Sequence, residues 1–442
     1  MIPHTTLFLL QKEINRLLAL GAIVPCKVNK GQFISTYFLT EKPDGSMRFI
    51  LNLKKLNSFL IAPHFKLEDT RTAIKLIYPN YFMSKIDLKD AYFMLPIHKN
   101  DRKFLRFSFK QNLYEFVCLP FGLSIAPYVF TKLLRPVLRY FRLRDIIIIS
   151  CIDHFLLINE SKSQCEKDTL FVVDTLLSLG FIINKEKSCL ILDYSCKFLG
   201  YIFDTKRMTI ELPQNKRQNI LNMLNTIKHI KKCKIKKFAH FLGILSAICG
   251  GGTYARLYTK QLEREKFLAL QGSNQNYNSI MHISKNVNHD IAWWIKNINT
   301  MKNQIKHDKY VLEIYTDASS TGWGVVCDNE STHGWWDSTE SKEHINFLEL
   351  KAIFYGLKCF TRNLSSCSIL IRTDNTTALS YINRMGSVKY PKFHSLAKKI
   401  WQWCEARNLW TFTLITTFTL VKASYVNSKN NLADLESRRR KI

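Results

Sequence analysis

The sequence lacks an apolar stretch that could span a membrane. Its longest apolar runs, such as residues 146–150, fall well short of the roughly 20 residues that a transmembrane helix needs. We also expect no secretory leader, because charged residues interrupt the helical apolar spacing of residues 9–20. We therefore expect a cytoplasmic or nuclear protein without a membrane partner.

Paired metal-binding cysteines are absent as well. The twelve cysteines are scattered, no CxxC occurs, and no Cys/His set has zinc-finger spacing. This pattern excludes a zinc knuckle and favours reduced thiols in an intracellular compartment.

Acidic residues are few relative to basic ones. Asp and Glu number 35 against 64 Lys and Arg, which gives a formal charge of +29. This excess favours a polyanionic partner, and with the membrane excluded the partner is nucleic acid. A chain of 442 residues with 46% hydrophobic content is expected to form two to four domains, each of about 100–200 residues.

The secondary structure that the sequence predicts changes twice along the chain. Short β-like runs alternate with helical patterns over 1–205, including strands from Arg48 and Lys103 and a β-hairpin over 146–158. Residues 206–304 are mostly helical and rich in lysine. Strands with interleaved helices return over 305–442, which predicts a compact α/β domain.

Two acidic positions in the first segment suggest a metal site. The stretch KIDLKDAYF places Asp87 and Asp90 near a strand end, and SCIDHFLLI places Asp153 at a polar hairpin tip. Carboxylates from separate strands can hold Mg²⁺, which prefers oxygen ligands. For any single Asp, a strand end or a turn is the plainer interpretation.

Ordered motifs strengthen the metal interpretation. FLTEKPDGSMRFILNLKKLN at 38–57, KIDLKDAYF at 85–93, LPFGLSIAPYVF at 119–130 and FLGYIF at 198–203 occur in sequence. Together they resemble retroelement reverse transcriptases, most closely those of long-terminal-repeat and DIRS-like elements. The resemblance implies an α+β fold, with right-hand polymerase fingers and palm over 1–205 and a thumb or connection over 206–304.

The resemblance also implies roles for individual residues. Asp87 and Asp153 match the catalytic metal-binding carboxylates of the polymerase. The nucleotide-binding positions are Lys42, Arg48, Asp90, Ala91, Tyr92, Phe121 and Gly122. The family's hairpin signature, aromatic–x–Asp–Asp, reads here Cys151, Ile152, Asp153 and His154. Because His154 removes a carboxylate, this departure predicts a weakened polymerase site.

A second acidic group lies in the C-terminal segment. Asp317 lies at the end of a predicted strand, and Glu349 lies in the first turn of a predicted helix. Asp374 lies at a strand end that leads into a helix, and Asp434 lies near the chain end. Their order resembles ribonuclease H, which implies an α/β ribonuclease H-like domain over 305–442 and catalytic, metal-binding roles for all four. The plainer alternatives are a capping box from Asn346 to Glu349, a helix cap at Asp374 and a tail at Asp434.

Two features of this segment bear on Asp434. No His lies between Ala423 and Asp434, although many cellular ribonucleases H carry one before the last Asp. A near-duplication of TFTL at Thr411 and Thr417 lengthens the last predicted strand. A longer strand can shift the register that positions Asp434.

Lysines interleaved with apolar residues mark the middle segment. The candidate nucleic-acid contacts are Lys231, Lys232, Lys234, Lys236 and Lys237. Lysines in such a position neutralise phosphates without reading sequence. The alternative is a solvated basic face.

The resemblance as a whole implies an RNA-directed DNA polymerase with ribonuclease H activity, part of a retrotransposon polyprotein. It implies two Mg²⁺ per site, with Mn²⁺ as an alternative, and RNA template, DNA primer, RNA–DNA hybrid and deoxynucleoside triphosphates as partners. A catalytically decayed nucleic-acid-binding remnant and a nuclease with a non-catalytic palm are the rival hypotheses. The oligomeric state stays open.

Overall fold

The computed structural model describes residues 4–42, 45–306, 310–409 and 422–438. It divides the chain into two units, Met1–Leu199 and Gly200–Ile442. The two units meet between Leu199 and Gly200, whereas the sequence predicts a boundary at residue 205. The finer division of the second unit at residue 305 stays a prediction.

The first unit mixes helices and strands. Its helices are α1 (His4–Ala19), α2 (Lys54–Asn57), α3 (Thr70–Leu76), α4 (Ala126–Arg142) and α5 (Lys162–Ser178). Its strands are β1 (Ile23–Pro25), β2 (Tyr37–Glu41), β3 (Met47–Leu51), β4 (Phe82–Asp87), β5 (Arg106–Phe109), β6 (Asn112–Phe116), β7 (Ile147–Cys151), β8 (His154–Asn159), β9 (Cys189–Asp193) and β10 (Ser195–Phe198).

An antiparallel sheet with the strand order β7-β8-β4-β9 forms the centre of this unit. β7 and β8 are the hairpin that the apolar run predicts. The residues of β8 between its two ends are all buried, because the strand lies between two neighbours and α5 packs against it. Phe130 of α4 and Phe155 of β8 belong to the same apolar core. This packing fixes the hairpin against β4.

A second antiparallel pair, β2 and β3, lies next to a loop that needs glycine. The φ angle of Gly122 is +107°, and a Cβ there would lie 2.2 Å from the carbonyl oxygen of Leu51. Only glycine allows this close approach. One prediction needs correction here: Arg102–Phe104 form a 3₁₀ turn, so the strand predicted from Lys103 begins only at Arg106.

The second unit is also mixed. Its helices are α6 (Gln214–Lys228), α7 (Ile235–Ile248), α8 (Lys260–Gly272), α9 (Asn288–Asn297), α10 (Ile345–Phe360), α11 (Thr376–Asn383), α12 (Pro391–Ala406) and α13 (Asp434–Ser437). Its strands are β11 (Tyr201–Asp204), β12 (Thr209–Glu211), β13 (Lys232–Lys234), β14 (Ile280–His282), β15 (Lys302–Gln304), β16 (Leu312–Ala318), β17 (Gly322–Cys327), β18 (Glu330–Trp335), β19 (Ile369–Thr373) and β20 (Lys422–Tyr425).

A five-stranded sheet organises the C-terminal part of this unit. The strand order is β18-β17-β16-β19-β20. The first three strands are antiparallel, whereas β19 runs parallel to both β16 and β20. α10 packs on β16 and β17. A Cβ on Gly324 of β17 would lie 2.4 Å from the backbone nitrogen of Ser437, so this glycine lets α13 pack directly on the sheet.

The region 206–304 is mainly helical, as predicted, and its helix α9 is joined to α12 by buried polar contacts. The ring of Tyr258 stacks on that of Trp293, with the centroids 4.1 Å apart. The Tyr258 hydroxyl and the Trp293 Nε1 both donate to the carboxylate of Glu405 on α12. Asp290 of α9, fully buried, lies 2.5 Å from the Lys398 Nζ of α12.

All twelve cysteines lie among the described residues, where each is a free thiol. No helix in the described ranges combines the length and apolar character that crossing a membrane requires. The TFTL near-duplication lies outside the described residues.

Candidate active sites

The hairpin tip and the end of β4 bring the first acidic pair together. Asp87 is the last residue of β4, and it stands opposite His154 in the antiparallel register. Ile152 and Asp153 form the two-residue turn, and Ile152 has a φ of +56°. The Leu88 N–H donates to the carbonyl oxygen of Asp153 at 2.8 Å. Ligand atoms of Asp87, Asp153 and His154 all lie within 4.8 Å of one another.

The imidazole of His154 lies between the two carboxylates. Its Nδ1 is 2.5 Å from Oδ2 of Asp87, and its Nε2 is 3.6 Å from Oδ1 of Asp153. The shorter contact lacks the alignment of a hydrogen bond. Within the described part of the chain, both of its atoms are buried without a hydrogen-bond partner. The residue that replaces the family's second carboxylate is thus in direct contact with the first.

The electrostatics of this site follow from burial and charge. The contact with Asp87 raises the pKa of His154 above its ordinary value. Partial burial raises the pKa of Asp153, and the Asp87 charge adds to this shift, whereas His154 and Arg48 oppose it. Burial also raises the pKa of Cys151 to about 11, so this thiol is neutral near pH 7.

The predicted nucleotide-binding residues are only partly brought together. The Arg48 guanidinium lies over the Phe121 ring at 4.7 Å from its centroid, and the Tyr92 ring is 5.4 Å from that of Phe121. Burial, with the charge of Asp153, raises the pKa of Tyr92 to about 12. Gly122 follows directly after Phe121 in the tight loop against Leu51. These residues therefore line one region beside the hairpin.

Asp90, Ala91 and Lys42 are the other three predicted nucleotide-binding residues, and Lys42 lies on a different segment from Asp90 and Ala91. Asp90 has a φ of +49° and starts a 3₁₀ turn, in which Ala91 is buried. The Asp90 carboxylate pairs with Arg16 of α1 at 3.3 Å, a partner that the sequence analysis missed. Lys42 lies in the β2–β3 turn, where its N–H donates to the Ser46 carbonyl.

The second acidic group forms at one edge of the five-stranded sheet. Since β16 and β19 are parallel, Asp317 near the end of β16 and Asp374 just after β19 meet at the same edge. Glu349 on α10 faces them. Ligand atoms of these three residues lie within 4.8 Å of one another.

Burial dominates the charge balance of this group. It raises the pKa of Glu349 to about 9, and the negative charges of Asp317 and Asp374 add to the effect. Burial raises the pKa of Asp317 to about 6, although the Ser437 hydroxyl that donates to its Oδ2 opposes the shift. Among the described residues, Glu349 Oε2 has no hydrogen-bond partner. Three acids held together at this energetic cost are typical of a functional site.

Asp434 lies outside this group of three. It begins α13, and its Oδ1 accepts from Arg438 at 2.7 Å. Its charge nevertheless raises the pKa of Asp317. Its role as a metal ligand stays a prediction.

The capping alternatives do not match the structure. His344, not Asn346, caps α10, because its Nδ1 accepts from the Asn346 N–H. Asn375, not Asp374, caps α11. Glu349 and Asp374 are therefore not explained by helix capping.

Three supporting residues were not singled out as site residues. The Ser188 hydroxyl contacts the backbone nitrogen of Asp87 at 3.0 Å. Asn431 donates to Asp317 Oδ1 at 3.3 Å, opposite the Ser437 contact. Ser437 lies three residues after the predicted site residue Asp434, which is the one local signal that could have pointed to it. The other two act across long sequence separations and leave no local pattern.

The five candidate lysines are all exposed. Lys232 and Lys234 lie on β13, and Lys236 and Lys237 lie in the first turn of α7, between the buried Ile235 and Phe238. Apolar side chains thus anchor the segment while the ammonium groups reach solvent.

Comparison with known proteins decides the family of the first unit. Residues 40–203 match the family described as reverse transcriptase (RNA-dependent DNA polymerase). The chain carries a reverse transcriptase domain of the retroelement type.

The relatives of this reverse transcriptase domain extend over more of the chain. The enzymatic polyprotein of Cauliflower mosaic virus (strain Strasbourg) is 25% identical over 402 residues, which cover 84% of this chain and 54% of that protein. The Transposon Tf2-7 polyprotein of Schizosaccharomyces pombe is 24% identical over 242 residues, covering 52% of this chain and 18% of that protein. The chain thus spans about half the length of the viral polyprotein.

A solved structure supports the fold of the whole chain. The foamy viral protease-reverse transcriptase in complex with RNA/DNA hybrid matches with a TM-score of 0.59 and 16% identity, covering 100% of this chain and 56% of that chain. The expected α+β polymerase fold is confirmed.

Proposed function

We propose that the chain is the reverse transcriptase–ribonuclease H portion of a retrotransposon polyprotein. In this proposal it is an RNA-directed DNA polymerase that also cleaves the RNA strand of RNA–DNA hybrids. The observation that carries the nuclease part is the convergence of Asp317, Glu349 and Asp374 within 4.8 Å. The reverse transcriptase domain at 40–203 supports the polymerase part.

The donor set of the nuclease site fits Mg²⁺. All three side chains offer hard carboxylate oxygens, and the buried Glu349 Oε2 has no hydrogen-bond partner within the described ranges. Asp317, Glu349 and Asp374 would hold the metal, with two ions per site and Asp434 as a further ligand. Bound Mg²⁺ supplies charge stabilisation and makes its water more acidic.

The chain's own residues supply positioning in this site. Ser437 donates to Oδ2 of Asp317, and Asn431 donates to its Oδ1. The packing of α10 on β16 and β17 carries Glu349 into place. Preorganised groups of this kind need no rearrangement when the reaction occurs.

The polymerase site has a different donor set. Asp87 and Asp153 offer two carboxylates, but His154 stands where the family signature has a further carboxylate, and it contacts Asp87. An imidazole is a poor ligand for Mg²⁺. We therefore propose low polymerase activity in Mg²⁺, with Arg48, Tyr92 and Phe121 still forming a surface for a deoxynucleoside triphosphate.

A second candidate function follows from the same contact. If His154 prevents nucleotide transfer, the chain is a nuclease whose first unit binds the RNA template and DNA primer without extending the primer. The exposed lysines of β13 and α7 suit either function, because phosphate contacts do not depend on chemistry at the palm.

Primer extension and hybrid cleavage, assayed side by side, test these functions. We expect wild-type protein to cleave the RNA strand of a hybrid in Mg²⁺, and Asp374→Asn to lose this activity by at least about 100-fold. Asp328→Asn is the matched control, because Asp328 is an exposed acid in the β17–β18 turn of the same sheet. Undiminished cleavage by Asp374→Asn would refute the nuclease site, and efficient extension in Mg²⁺ would refute the nuclease-only function.

A further inference from the structure

The group formed by Asp87, Asp153 and His154 differs chemically from the nuclease group. Both groups bring three ligand atoms within 4.8 Å. The nuclease group offers only carboxylate oxygens, whereas the palm group offers two carboxylates and an imidazole nitrogen. The same chain therefore carries one group of donors with oxygen atoms only and one group that mixes oxygen and nitrogen atoms. These groups are called the oxygen-only set and the mixed set.

The mixed set is held in place by the backbone. The antiparallel register sets Asp87 opposite His154, and the two-residue turn sets Asp153 beside it. The Leu88 N–H to Asp153 carbonyl bond ties the turn to the end of β4. The three donors therefore converge without help from flexible loops.

The group also contains unsatisfied buried atoms. Asp87 is only 3% exposed. Its Oδ2 and Nδ1 of His154 lie 2.5 Å apart, and Lys85 Nζ lies 3.9 Å from the same oxygen, but neither Oδ2 nor Nδ1 makes a hydrogen bond among the described residues. Buried polar atoms without a partner are costly. A cation bound by both atoms would satisfy both.

We propose that Asp87, Asp153 and His154 form a site for a single divalent first-row transition ion, which binds there in preference to Mg²⁺. Imidazole nitrogen is a favourable ligand for such ions, whereas Mg²⁺ demands oxygen donors in near-ideal octahedral geometry. This inference rests on the proposed role of the palm as a metal-dependent site. It assigns that site a different metal from the one at Asp317, Glu349 and Asp374.

Mn²⁺ is the appropriate probe. The twelve free cysteines would compete for Zn²⁺ through their soft sulfur atoms, whereas Mn²⁺ binds thiols poorly. Mn²⁺ is also paramagnetic, so pulsed electron paramagnetic resonance can detect a directly bonded ¹⁴N nucleus. The full-length chain with Glu349→Gln weakens the oxygen-only site and isolates the palm signal.

We expect Mn²⁺ bound to the Glu349→Gln chain to show a ¹⁴N coupling. Adding His154→Ala should remove the coupling and weaken Mn²⁺ binding by about tenfold or more. His98→Ala is the control, because His98 is an exposed histidine of the same unit, and it should change neither. His154→Asp should also remove the coupling, and in that variant Mg²⁺ should displace Mn²⁺ more readily.

Two results would overturn the inference. One is Mn²⁺ binding without a ¹⁴N coupling in the His154-containing chain. The other is equal or tighter Mn²⁺ binding after His154→Ala, which would mean that the imidazole acts as a positive charge that fills the place of a metal. Near-ultraviolet circular dichroism of each variant separates lost binding from lost folding. Because the readout is binding, a coupled Mn²⁺ in a chain that extends no primer would refute the polymerase proposal and leave this inference standing.

Discussion

Nδ1 of His154 lies 2.5 Å from Oδ2 of Asp87 on the neighbouring strand. The residue that replaces a carboxylate of the reverse transcriptase signature is therefore in direct contact with a carboxylate that the signature retains. We expect this contact to lower the affinity of the site for a hard cation such as Mg²⁺.

Restoring the carboxylate should restore the chemistry. We predict that His154→Asp increases primer extension in Mg²⁺ at least about tenfold, because a third oxygen donor replaces the imidazole. His154→Asn removes the imidazole without adding a charge, so it should gain much less. Equal extension by wild type and His154→Asp would contradict the proposed effect of His154 on the polymerase site.

Ser437 is predicted to position Asp317. Its hydroxyl donates to Asp317 Oδ2, so Ser437→Ala should raise the Mg²⁺ concentration for half-maximal hybrid cleavage by roughly 10-fold to 100-fold, as for other groups that orient metal ligands. Maximal cleavage at saturating Mg²⁺ should change less. Ser341→Ala, at an exposed serine of the same unit, should leave the Mg²⁺ dependence unchanged, and a matching shift there would refute the positioning role.

The buried ion pair between α9 and α12 should govern stability. Lys398→Met leaves the fully buried Asp290 without its main cation and should lower the free energy of unfolding by about 3 kcal/mol in urea titrations. Lys392 lies on the same helix as Lys398, is mostly exposed and pairs with Glu343. Lys392→Met should therefore lower the free energy of unfolding by less than about 1 kcal/mol. Comparable losses in the two variants would contradict the buried-pair argument.

His394 predicts an acid-sensitive fold. Burial lowers the pKa of this histidine to about 4, well below its ordinary value of about 6.5. Below pH 6.5 the His394 imidazole is protonated in the unfolded chain but stays neutral in the folded chain. The free energy of unfolding therefore falls as pH decreases toward 4, by up to about 3 kcal/mol. His394→Gln should remove this part of the pH dependence in unfolding titrations at pH 7 and pH 5. If His394→Gln leaves the stability difference between pH 7 and pH 5 unchanged, His394 is not the source of the acid sensitivity.

Regular patterns made much of the fold predictable. The hairpin of β7 and β8 follows from an apolar run with one polar interruption, and the strand predicted from Arg48 overlaps β3 at Met47–Leu51. The strand predicted from Lys103 was too long, because its first residues form a 3₁₀ turn. Lys232–Lys234 form a strand through pairing with β14, a contact between segments far apart in sequence.

The acidic residues of the candidate sites could be predicted from the sequence, whereas the residues that hydrogen-bond to them could not. Asp87 and Asp153 stand in recognisable motifs, as do Asp317, Glu349 and Asp374. Ser188 and Asn431 reach their partners from 101 and 114 residues away, so no local spacing marks them. The direct contact of His154 with Asp87 depends on strand register, which the sequence alone leaves open.

Glu349→Gln tests the central claim most directly, with stability and hybrid cleavage measured on the same preparation. Burial and two neighbouring acids raise the pKa of Glu349 to about 9, so in metal-free buffer the neutral amide should raise the free energy of unfolding by about 2 kcal/mol at pH 7. The same variant should cleave the RNA strand of a hybrid at least about 100-fold more slowly in Mg²⁺. A variant that is more stable and inactive is the predicted result, and a variant that cleaves hybrids at the wild-type rate would contradict a metal centre at Asp317, Glu349 and Asp374.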